Sequence, residues 1–382
     1  MRVVHVIQNL DPAWGGVPMV ASRVAAAHAG LGHNTVIACH PAPAGEQAQH
    51  NLLDGLPHRD QLNIHHIRSK GGMAGFVPDD LVTDLDPIIH GADALILHGV
   101  WDPILRAASL VATNNSIPYA ITPHGMLSPW SLQLKAWKKK LALSLGYRSL
   151  ISNARFIQAL NDDEARYIDS LGYNVPTRII PNGIFLDEFA NLPPNGEYRQ
   201  HANLSDHPYI LFLGRIHPAK GLDLMVDAFR TVITRQPDTR LVLAGPPDED
   251  ARRINDLVQK HKLQDHVLIP GPIYGRTKLA ALVDCSCFCM TSRQEGFSMA
   301  ITEALACARP VVITNTCHFP AIASASAGII TERNPAAVAN ALTSVLDNPD
   351  RAKDMGIAGR HLVETNYTWP TIAQQLISAF LQ

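Results

Sequence analysis

Short, continuous apolar runs alternate along this chain with longer segments in which apolar residues have helical spacing. In the first half, the runs that predict strands are 3–8, 35–39, 94–98, 119–122, 156–159 and 178–180. The segments 17–31 and 131–149 between them predict helices. Because strands that are apolar on both faces need cover on both sides, this alternation predicts a parallel sheet flanked by helices.

The alternation breaks at residues 190–208, which are rich in Pro, Asn and Gly, and then restarts. The later runs that predict strands are 209–213, 240–244, 267–269, 285–290 and 311–313. We therefore predict two Rossmann-like doubly wound domains, 1–189 and 209–366, joined by a linker at 190–208. The final helix, about 367–382, is expected to cross back onto the first domain, and ligand to bind in a cleft between the domains.

The composition excludes several classes of protein. With 382 residues, 46% of them hydrophobic, and a net charge of −2, the chain has no global attraction for nucleic acid or membrane. The first residues do not form a signal peptide, and no apolar run reaches the roughly 18 residues that span a bilayer. We expect a cytoplasmic protein. Cys285, Cys287 and Cys289 alternate along one run; we favour buried reduced thiols there, with metal binding as the alternative.

Two carboxylates, Glu295 and Glu303, flank a predicted junction between a strand and a helix. In open α/β sheets, ligands bind at such junctions, and the positive end of the helix favours an anion. Carboxylates accept strong hydrogen bonds from sugar hydroxyls, which suits a sugar-bearing ligand. The alternative is that both are surface glutamates near a helix start.

A second candidate element is the loop that follows the first strand of the second domain. Arg215 and Lys220 lie in it, close enough in sequence to converge on a diphosphate. Taken alone, the two cations would be ordinary solvated loop residues. The neighbouring glutamate motif favours phosphate binding.

The first domain offers weaker signals. Gly15 and Gly16 precede a predicted helix and allow a phosphate to approach the backbone, although no GxGxxG or Walker motif is present. His98 and His124 each end a strand and precede a glycine, where an imidazole can donate or accept a hydrogen bond. His98 can equally be structural.

Together these elements resemble the retaining glycosyltransferase family 4, over nearly the whole chain. The most specific match is residues 289–304 (CMTSRQEGFSMAITEA), which resemble the family signature of two glutamates separated by seven residues. Residues 213–221 (LGRIHPAKG) resemble the phosphate-binding element, 180–189 (IPNGIFLDEF) the segment entering the linker, and 122–125 (TPHG) the acceptor-domain histidine motif. The resemblance implies the GT-B fold, in which two Rossmann-like domains face each other across a cleft.

The resemblance also implies roles for individual residues. Glu295 would hold the donor sugar and Glu303 the ribose, while Arg215 and Lys220 would neutralise the leaving diphosphate. His124 would contact the transferred sugar. The remaining donor contacts would come from backbone amides at Gly15, Gly16, Gly296, Phe297, Ser298, Met299 and Ala300. No divalent metal or other cofactor is implied, since Arg and Lys supply the positive charge.

One position departs from the family pattern. Ala308 stands in the turn after the glutamate helix, where the family usually has glycine. Because alanine tolerates left-handed backbone poorly, we expect this turn to be built differently.

A basic and aromatic segment, residues 129–146, contains Trp130, Trp137, Lys135, Lys138, Lys139 and Lys140. In family members with lipid-linked acceptors, such a patch docks on anionic membrane, and the resemblance raises peripheral contact with the inner membrane face. A solvated basic face over ordinary core contacts is the interpretation that we favour.

The sequence thus predicts a retaining, metal-independent glycosyltransferase that moves a hexosyl-type sugar from a nucleoside-diphosphate sugar to a saccharide or lipid-linked acceptor. The alternatives are a GT-B phosphorylase or epimerase, and a non-catalytic sugar-nucleotide-binding protein. The sequence does not identify the base, sugar, acceptor or oligomeric state. Acceptor contacts are expected in the loops 41–59 and 69–80.

Overall fold

Two separate parallel sheets, one of seven strands and one of six, organise the chain. The computed structural model describes residues 1–69, 79–133 and 136–382. The seven-stranded sheet belongs to a unit made of Met1–Asn182 and Trp369–Gln382, and the six-stranded sheet to a unit made of Gly183–Thr368. The predicted architecture of two Rossmann-like parallel-sheet units is confirmed.

In the first unit the strands run in the order β3-β2-β1-β4-β5-β6-β7. They are β1 (Arg2–Asn9), β2 (Asn34–His40), β3 (Leu62–His66), β4 (Ala94–His98), β5 (Tyr119–Thr122), β6 (Phe156–Ala159) and β7 (Thr177–Ile179). The order reverses between β1 and β4, which pair with His5 opposite Ile96. Such a reversal leaves a crevice at the carboxyl ends of the two strands.

The helices of the first unit cover this sheet and bury its apolar residues. They are α1 (Gly16–Gly30), α2 (Glu46–Leu53), α3 (Asp79–Ile89), α4 (Pro103–Asn114), α5 (Pro129–Gln133), α6 (Ala136–Ala142), α7 (Arg148–Ser152) and α8 (Asp162–Ser170). The single helix predicted over 131–149 is therefore interrupted. Gly146, with φ 111°, breaks it before α7, because a residue with positive φ cannot continue a right-handed helix.

In the second unit the strand order is β10-β9-β8-β11-β12-β13. The strands are β8 (Tyr209–Leu213), β9 (Arg240–Ala244), β10 (Val267–Gly271), β11 (Cys287–Met290), β12 (Val311–Thr314) and β13 (Gly328–Thr331). The helices are α9 (Glu197–His201), α10 (Leu222–Arg235), α11 (Ala251–Lys260), α12 (Gly275–Asp284), α13 (Met299–Ala306), α14 (Ala321–Ser324), α15 (Pro335–Leu346) and α16 (Pro349–Asn366). The order reverses between β8 and β11.

Residues 190–208, predicted to be a linker, belong to the second unit. They contain α9, whose start is held by the buried carboxylate of Asp284. This carboxylate accepts hydrogen bonds from the amides of Gly196, Tyr198 and Arg199 at 2.6, 2.8 and 3.1 Å. Tyr198 is itself almost fully buried, so the segment packs as part of the unit. Because the segment is polar in composition, the sequence did not predict these contacts.

The last helix, α17 (Trp369–Leu381), is part of the first unit. It packs along α1, and Phe380 lies against Phe156 of the first sheet with ring centroids 5.0 Å apart. Its buried residues, including Trp369 and Leu376, supply one apolar face.

The turn after α13 contains a residue with a left-handed backbone conformation, although that residue is not glycine. Ala308 has φ 53°, so our expectation of a differently built turn was wrong. The carbonyl of Ala308 approaches Gly356 of α16 so closely that a Cβ at Gly356 would lie 2.1 Å from it. The packing of α16 therefore holds the strained turn in place.

We expect Ala308→Gly to stabilise the second unit by roughly 0.5–1 kcal/mol, because glycine adopts positive φ without strain. Urea denaturation followed by circular dichroism measures the change. Ala306→Gly, inside α13, is the matched control and should destabilise by about 1 kcal/mol. Destabilisation by both substitutions would contradict the proposed strain.

Candidate active site

The two motifs of the second unit leave neighbouring strands at the point where the strand order reverses. β8 and β11 pair in parallel, with Leu211 opposite Phe288. The loop with Arg215 and Lys220 follows β8, and the loop with Glu295 follows β11. Because carboxyl ends of parallel strands share one edge of a sheet, the two loops emerge side by side.

A glycine allows these loops to touch. Gly221 has φ 64°, and a Cβ at this position would lie 2.2 Å from the carbonyl oxygen of Thr291. The hydroxyl of Thr291 donates to the carbonyl of Gly221 at 2.9 Å, and the amide of Arg293 donates to the carbonyl of Ala219 at 2.7 Å. Backbone contacts and the hydroxyl of Thr291 therefore fix the spacing between the two motifs.

At this junction Lys220 and Glu295 form an ion pair. Lys220 Nζ lies 2.5 Å from Glu295 Oε1, and the two side chains are only 22% and 10% exposed. The hydroxyl of Ser292 donates to the same oxygen at 2.5 Å, and the amide of Glu295 donates to the carbonyl of Thr316 at 3.2 Å. Two groups therefore hold the carboxylate through Oε1, and a third contact holds the backbone of Glu295.

The second glutamate of the motif has a partner that the sequence did not reveal. Glu303, within α13, accepts a hydrogen bond from Lys278 of α12 at 2.8 Å. Lys278 belongs to no motif and is distant in sequence, so no local signal could have identified it. Ser298 caps α13 by accepting from the amide of Ile301 at 3.4 Å, and the predicted amide segment from Gly296 to Ala300 spans this helix start.

Arg215 is placed differently from Lys220. Its Nη1 lies 2.9 Å from Asp248 Oδ2, and its side chain is 64% exposed. A backbone hydrogen bond from Glu249, together with the nearby Arg215, lowers the pKa of Asp248. The structure gives the two cations separate carboxylate partners rather than bringing them to one point.

In the first unit, Gly15 and Gly16 lie at the start of α1 as predicted from the pattern. Gly15 has φ 83°, and a Cβ at either glycine would meet no atom within 4 Å. The preceding turn is held by Asp11, which accepts from the amides of Ala13 and Ala44 at 2.9 and 2.8 Å. The backbone of both glycines is therefore open to close approach.

His124 and His98 belong to a chain of four hydrogen-bonded imidazoles in the first unit, which we call the histidine chain. His124 Nε2 lies 3.1 Å from His98 Nδ1, and His98 Nε2 lies 2.9 Å from His5 Nδ1. His5 Nε2 lies 3.0 Å from His28 Nδ1, and His28 Nε2 lies 3.2 Å from the carbonyl oxygen of Ala373. The sequence offered no sign of His5 and His28, since they lie inside β1 and α1.

Burial lowers the pKa of each imidazole in the histidine chain. The pKa is lowered to about 3 for His28 and to about 4 for His124. For His5 and His98, burial first and the neighbouring histidines second lower the pKa well below 6.5. All four rings are therefore neutral at physiological pH.

A pocket of about 380 Å³ opens where β1 and β4 end. Trp14, Trp101, Asp102 and His98 are among its lining residues. Burial raises the pKa of Asp102, which also caps α4 by accepting from the amide of Ile104 at 3.1 Å. Sequence reasoning missed the two tryptophans, since neither lies in a recognisable motif. A cavity of the second unit, near Tyr198, contains none of the predicted site residues.

The predicted loops and the basic segment are only partly covered by the structure. Residues 70–78, the side chain of Trp130 and Lys135 lie outside the described residues. In α6, Trp137 is 67% exposed and Lys138 lies over its ring at 5.4 Å. Lys139 instead lies over Trp101 at 5.6 Å, whereas Lys140 is exposed. The exposed basic face is therefore narrower than the sequence suggested.

The cysteines are free and buried, and burial raises the pKa of Cys285, Cys287 and Cys289. Within the described ranges, no group of three or more His, Cys, Asp or Glu side chains is placed to hold a metal ion. A search of the same residues finds no helix with the length and apolarity needed to span a bilayer.

Comparison with known proteins identifies the class to which this fold and site belong. The family described as glycosyl transferases group 1 matches residues 195–362, and the family described as glycosyl transferase 4-like domain matches residues 15–183. The chain belongs to the group 1, GT4-type glycosyltransferases and has the GT-B fold.

Two curated relatives are mannosyltransferases. The GDP-mannose-dependent alpha-(1-6)-phosphatidylinositol dimannoside mannosyltransferase of Mycobacterium tuberculosis is 24% identical over 99% of this chain and 95% of its own. The GDP-mannose:cellobiosyl-diphosphopolyprenol alpha-mannosyltransferase of Xanthomonas campestris is 24% identical over 87% of this chain and 84% of its own.

Solved structures share the fold. HepE of Anabaena, in complex with UDP, has a TM-score of 0.79 and 17% identity, with complete coverage of both chains. The sucrose-phosphate synthase of Thermosynechococcus elongatus has a TM-score of 0.74 and 20% identity, covering 100% of this chain and 99% of its own.

The histidine chain predicts acid sensitivity of the first unit. A histidine with a lowered folded pKa binds its proton only when the chain unfolds, so its stabilising contribution is complete above about pH 6.5 and lost as pH falls below it. We expect each of the four buried histidines to cost roughly 1.4 kcal/mol per pH unit between about pH 6.5 and its folded pKa. His33, near His28, adds to this trend.

The buried acids Asp102 and Glu164 act in the opposite direction, because burial raises their pKa. Urea denaturation between about pH 7.5 and about pH 5 measures the balance. All five tryptophans, Trp14, Trp101, Trp130, Trp137 and Trp369, lie in the first unit, so their fluorescence reports on that unit. The control is His65→Gln, which removes an exposed histidine and should leave the pH dependence of the free energy of unfolding unchanged. A free energy of unfolding that stays constant or rises as the pH is lowered from about 7.5 to about 5 would contradict the expectation.

Proposed function

We propose that this glycosyltransferase is a retaining, metal-independent enzyme that transfers a hexosyl residue from a nucleoside-diphosphate sugar to a saccharide or lipid-linked acceptor. The observation that carries the proposal is the Lys220–Glu295 pair, held where β8 and β11 diverge. It combines a cation for phosphate with a carboxylate for sugar hydroxyls. The relatives that use GDP-mannose and the UDP bound to HepE support a nucleotide-sugar donor.

In the proposed donor site, each group of the second unit has a defined task. Lys220 contacts the diphosphate, and Arg215, whose exposed pair with Asp248 is weak, can turn toward it. Backbone amides at the start of α13 add donors for the sugar or the phosphate. Glu295 accepts from sugar hydroxyls and Glu303 from the ribose.

Departure of a nucleoside diphosphate builds negative charge, which the enzyme must stabilise. Lys220 and Arg215 both lie in the loop after β8 and would supply the positive charge that a divalent metal supplies elsewhere. Lys220 is also preorganised by its contact with Glu295. Both features favour metal-independent catalysis.

In the first unit, the pocket near β1 and β4 suits the acceptor. The rings of Trp14 and Trp101 offer flat apolar faces to a sugar or an isoprenoid-type chain. Asp102 and Asn9 provide polar atoms at its wall. Gly15 and Gly16 leave the amides of the α1 start open to an anionic group, and His124 is proposed to contact the transferred sugar.

A transfer assay with UDP-, GDP- and ADP-hexoses tests the function. Release of nucleoside diphosphate only when an acceptor is present indicates transfer, whereas release with phosphate alone indicates a phosphorylase. The anomeric configuration of the product, read by nuclear magnetic resonance, must equal that of the donor if the enzyme is retaining. Unchanged rates in EDTA would support metal independence.

We expect Lys220→Ala and Glu295→Ala each to lower kcat by roughly 10²–10³-fold, the size of the effect of preorganised charge at a leaving group. Lys220 would supply that charge, and Glu295 holds Lys220 in place. The exposed Lys353, in α16, provides the control Lys353→Ala, which should retain the wild-type rate. Circular dichroism checks that each variant is folded. Wild-type turnover in either site variant would refute the site assignment.

We also propose that the α6 region docks on anionic membrane. Trp137, Leu141 and Leu145 are 67%, 50% and 41% exposed and recur every four residues, beside the exposed Lys138 and Lys140. Apolar side chains flanked by lysines suit the interface of an anionic bilayer. The lipid-linked substrates named for two relatives support this proposal.

The double variant Lys138→Gln and Lys140→Gln should bind anionic vesicles roughly thirtyfold more weakly, at about 1 kcal/mol for each lysine. Sedimentation with phosphatidylglycerol vesicles measures this, and Lys353→Gln, at an exposed lysine of the second unit, is the control. Equal binding of the wild type to neutral vesicles would rule out electrostatic docking.

A further inference from the structure

The hydrogen bonds of the histidine chain all point the same way, and the carbonyl group of Ala373 at one end sets that direction. The carbonyl oxygen of Ala373 can only accept a hydrogen bond, so His28 Nε2, 3.2 Å away, must carry a hydrogen. In a neutral ring the other nitrogen is then bare, and His28 Nδ1 accepts from His5 Nε2. The same logic applies at each following contact, since every ring both donates and accepts.

The direction passes to the last ring. His5 Nδ1 is bare and accepts from His98 Nε2, and His98 Nδ1 is bare and accepts from His124 Nε2. Every ring in the histidine chain therefore carries its hydrogen on Nε2. His124 is left with a bare Nδ1, an acceptor without a proton.

The arrangement does not suit proton conduction. If His124 Nδ1 took up a proton, each ring could pass one on to the next, as far as His28. There the transfer would stop, because a carbonyl oxygen does not accept a proton at ordinary pH. One imidazolium would remain among side chains that are at most 3% exposed at His5, His28 and His98.

We propose that His28, His5 and His98 are positioning residues that fix His124 as the tautomer with an accepting Nδ1, which receives a hydrogen bond from a sugar hydroxyl. This inference rests on the proposed function for the identity of the ligand. An accepting nitrogen selects a neutral hydroxyl and disfavours phosphate or carboxylate oxygens, which have no hydrogen to donate. The histidine chain thus makes His124 specific for the sugar hydroxyl rather than for the anionic parts of a donor.

The test uses two substitutions of His28, which is three rings away from His124. His28→Gln keeps the direction, because its amide nitrogen can donate to Ala373 and its oxygen can accept from His5. His28→Leu removes both functions and frees the remaining rings to reverse. Both variants lose the imidazole, so the difference between them reports on the two hydrogen bonds at this position that set the direction.

The first readout is the protonation of each ring nitrogen of His124 in the ¹⁵N-histidine-labelled full-length protein, measured by long-range ¹H–¹⁵N correlation. We expect a hydrogen on Nε2 and a bare Nδ1 in the wild type and in His28→Gln, and a loss or mixture of this pattern in His28→Leu. A hydrogen on Nδ1 in the wild type would overturn the proposal without any variant, even if His28→Leu fails to fold.

The second readout is sugar transfer. We expect kcat/KM of His28→Leu to fall roughly three- to tenfold, the size of one neutral hydrogen bond, and that of His28→Gln to stay within about twofold. His65→Gln controls for histidine replacement in the same unit. Unchanged tautomer and kinetics in a folded His28→Leu protein would refute the positioning role.

The two readouts separate this inference from the proposed function. If the protein transfers no sugar but His124 carries the expected tautomer, the proposed function fails and the directional chain stands. If transfer occurs while His124 Nδ1 is protonated, the function stands and the positioning role fails.

Discussion

Parallel strands place all their carboxyl ends on one edge of a sheet, and this constraint determines where the candidate site residues lie in both units of this protein. Where the strand order reverses, the two loops that leave adjacent strands turn in opposite directions and open a crevice. In the second unit this happens between β8 and β11, and in the first between β1 and β4. The Lys220–Glu295 pair lies in the loops after β8 and β11, and His98 lies at the end of β4.

Within that constraint, backbone conformation sets the finer geometry. Gly221 permits one loop to approach the carbonyl of Thr291, and only then can Lys220 reach a glutamate far away in sequence. Ala308 shows the converse, because the neighbouring helix holds it in a conformation that its own side chain disfavours. Tertiary packing can therefore impose a turn that local sequence argues against.

The sequence was sufficient for features that depend on local pattern. Strands such as β4, β8 and β11 are continuous apolar runs, and the Glu295 motif follows β11. The pattern failed where partners are distant or periodicity is weak. β3 is a largely exposed strand with polar residues on both faces, and its run of histidines gave no strand signal. Lys278, His5 and His28 acquire meaning only through partners on other elements, which no spacing rule reports.

The pairing of cations with carboxylates in the second unit does not prevent them from binding an anion. An ammonium group has three hydrogens, so Lys220 can keep one on Glu295 and direct the others at phosphate oxygens. Glu295 meanwhile retains a second oxygen, Oε2, for a sugar hydroxyl, since Lys220 and Ser292 both bind Oε1. In the proposed donor complex the pair would therefore gain contacts rather than exchange them. Removing either member would leave the other partly buried without its counter-charge, so local order and the proposed donor binding depend on the same contact.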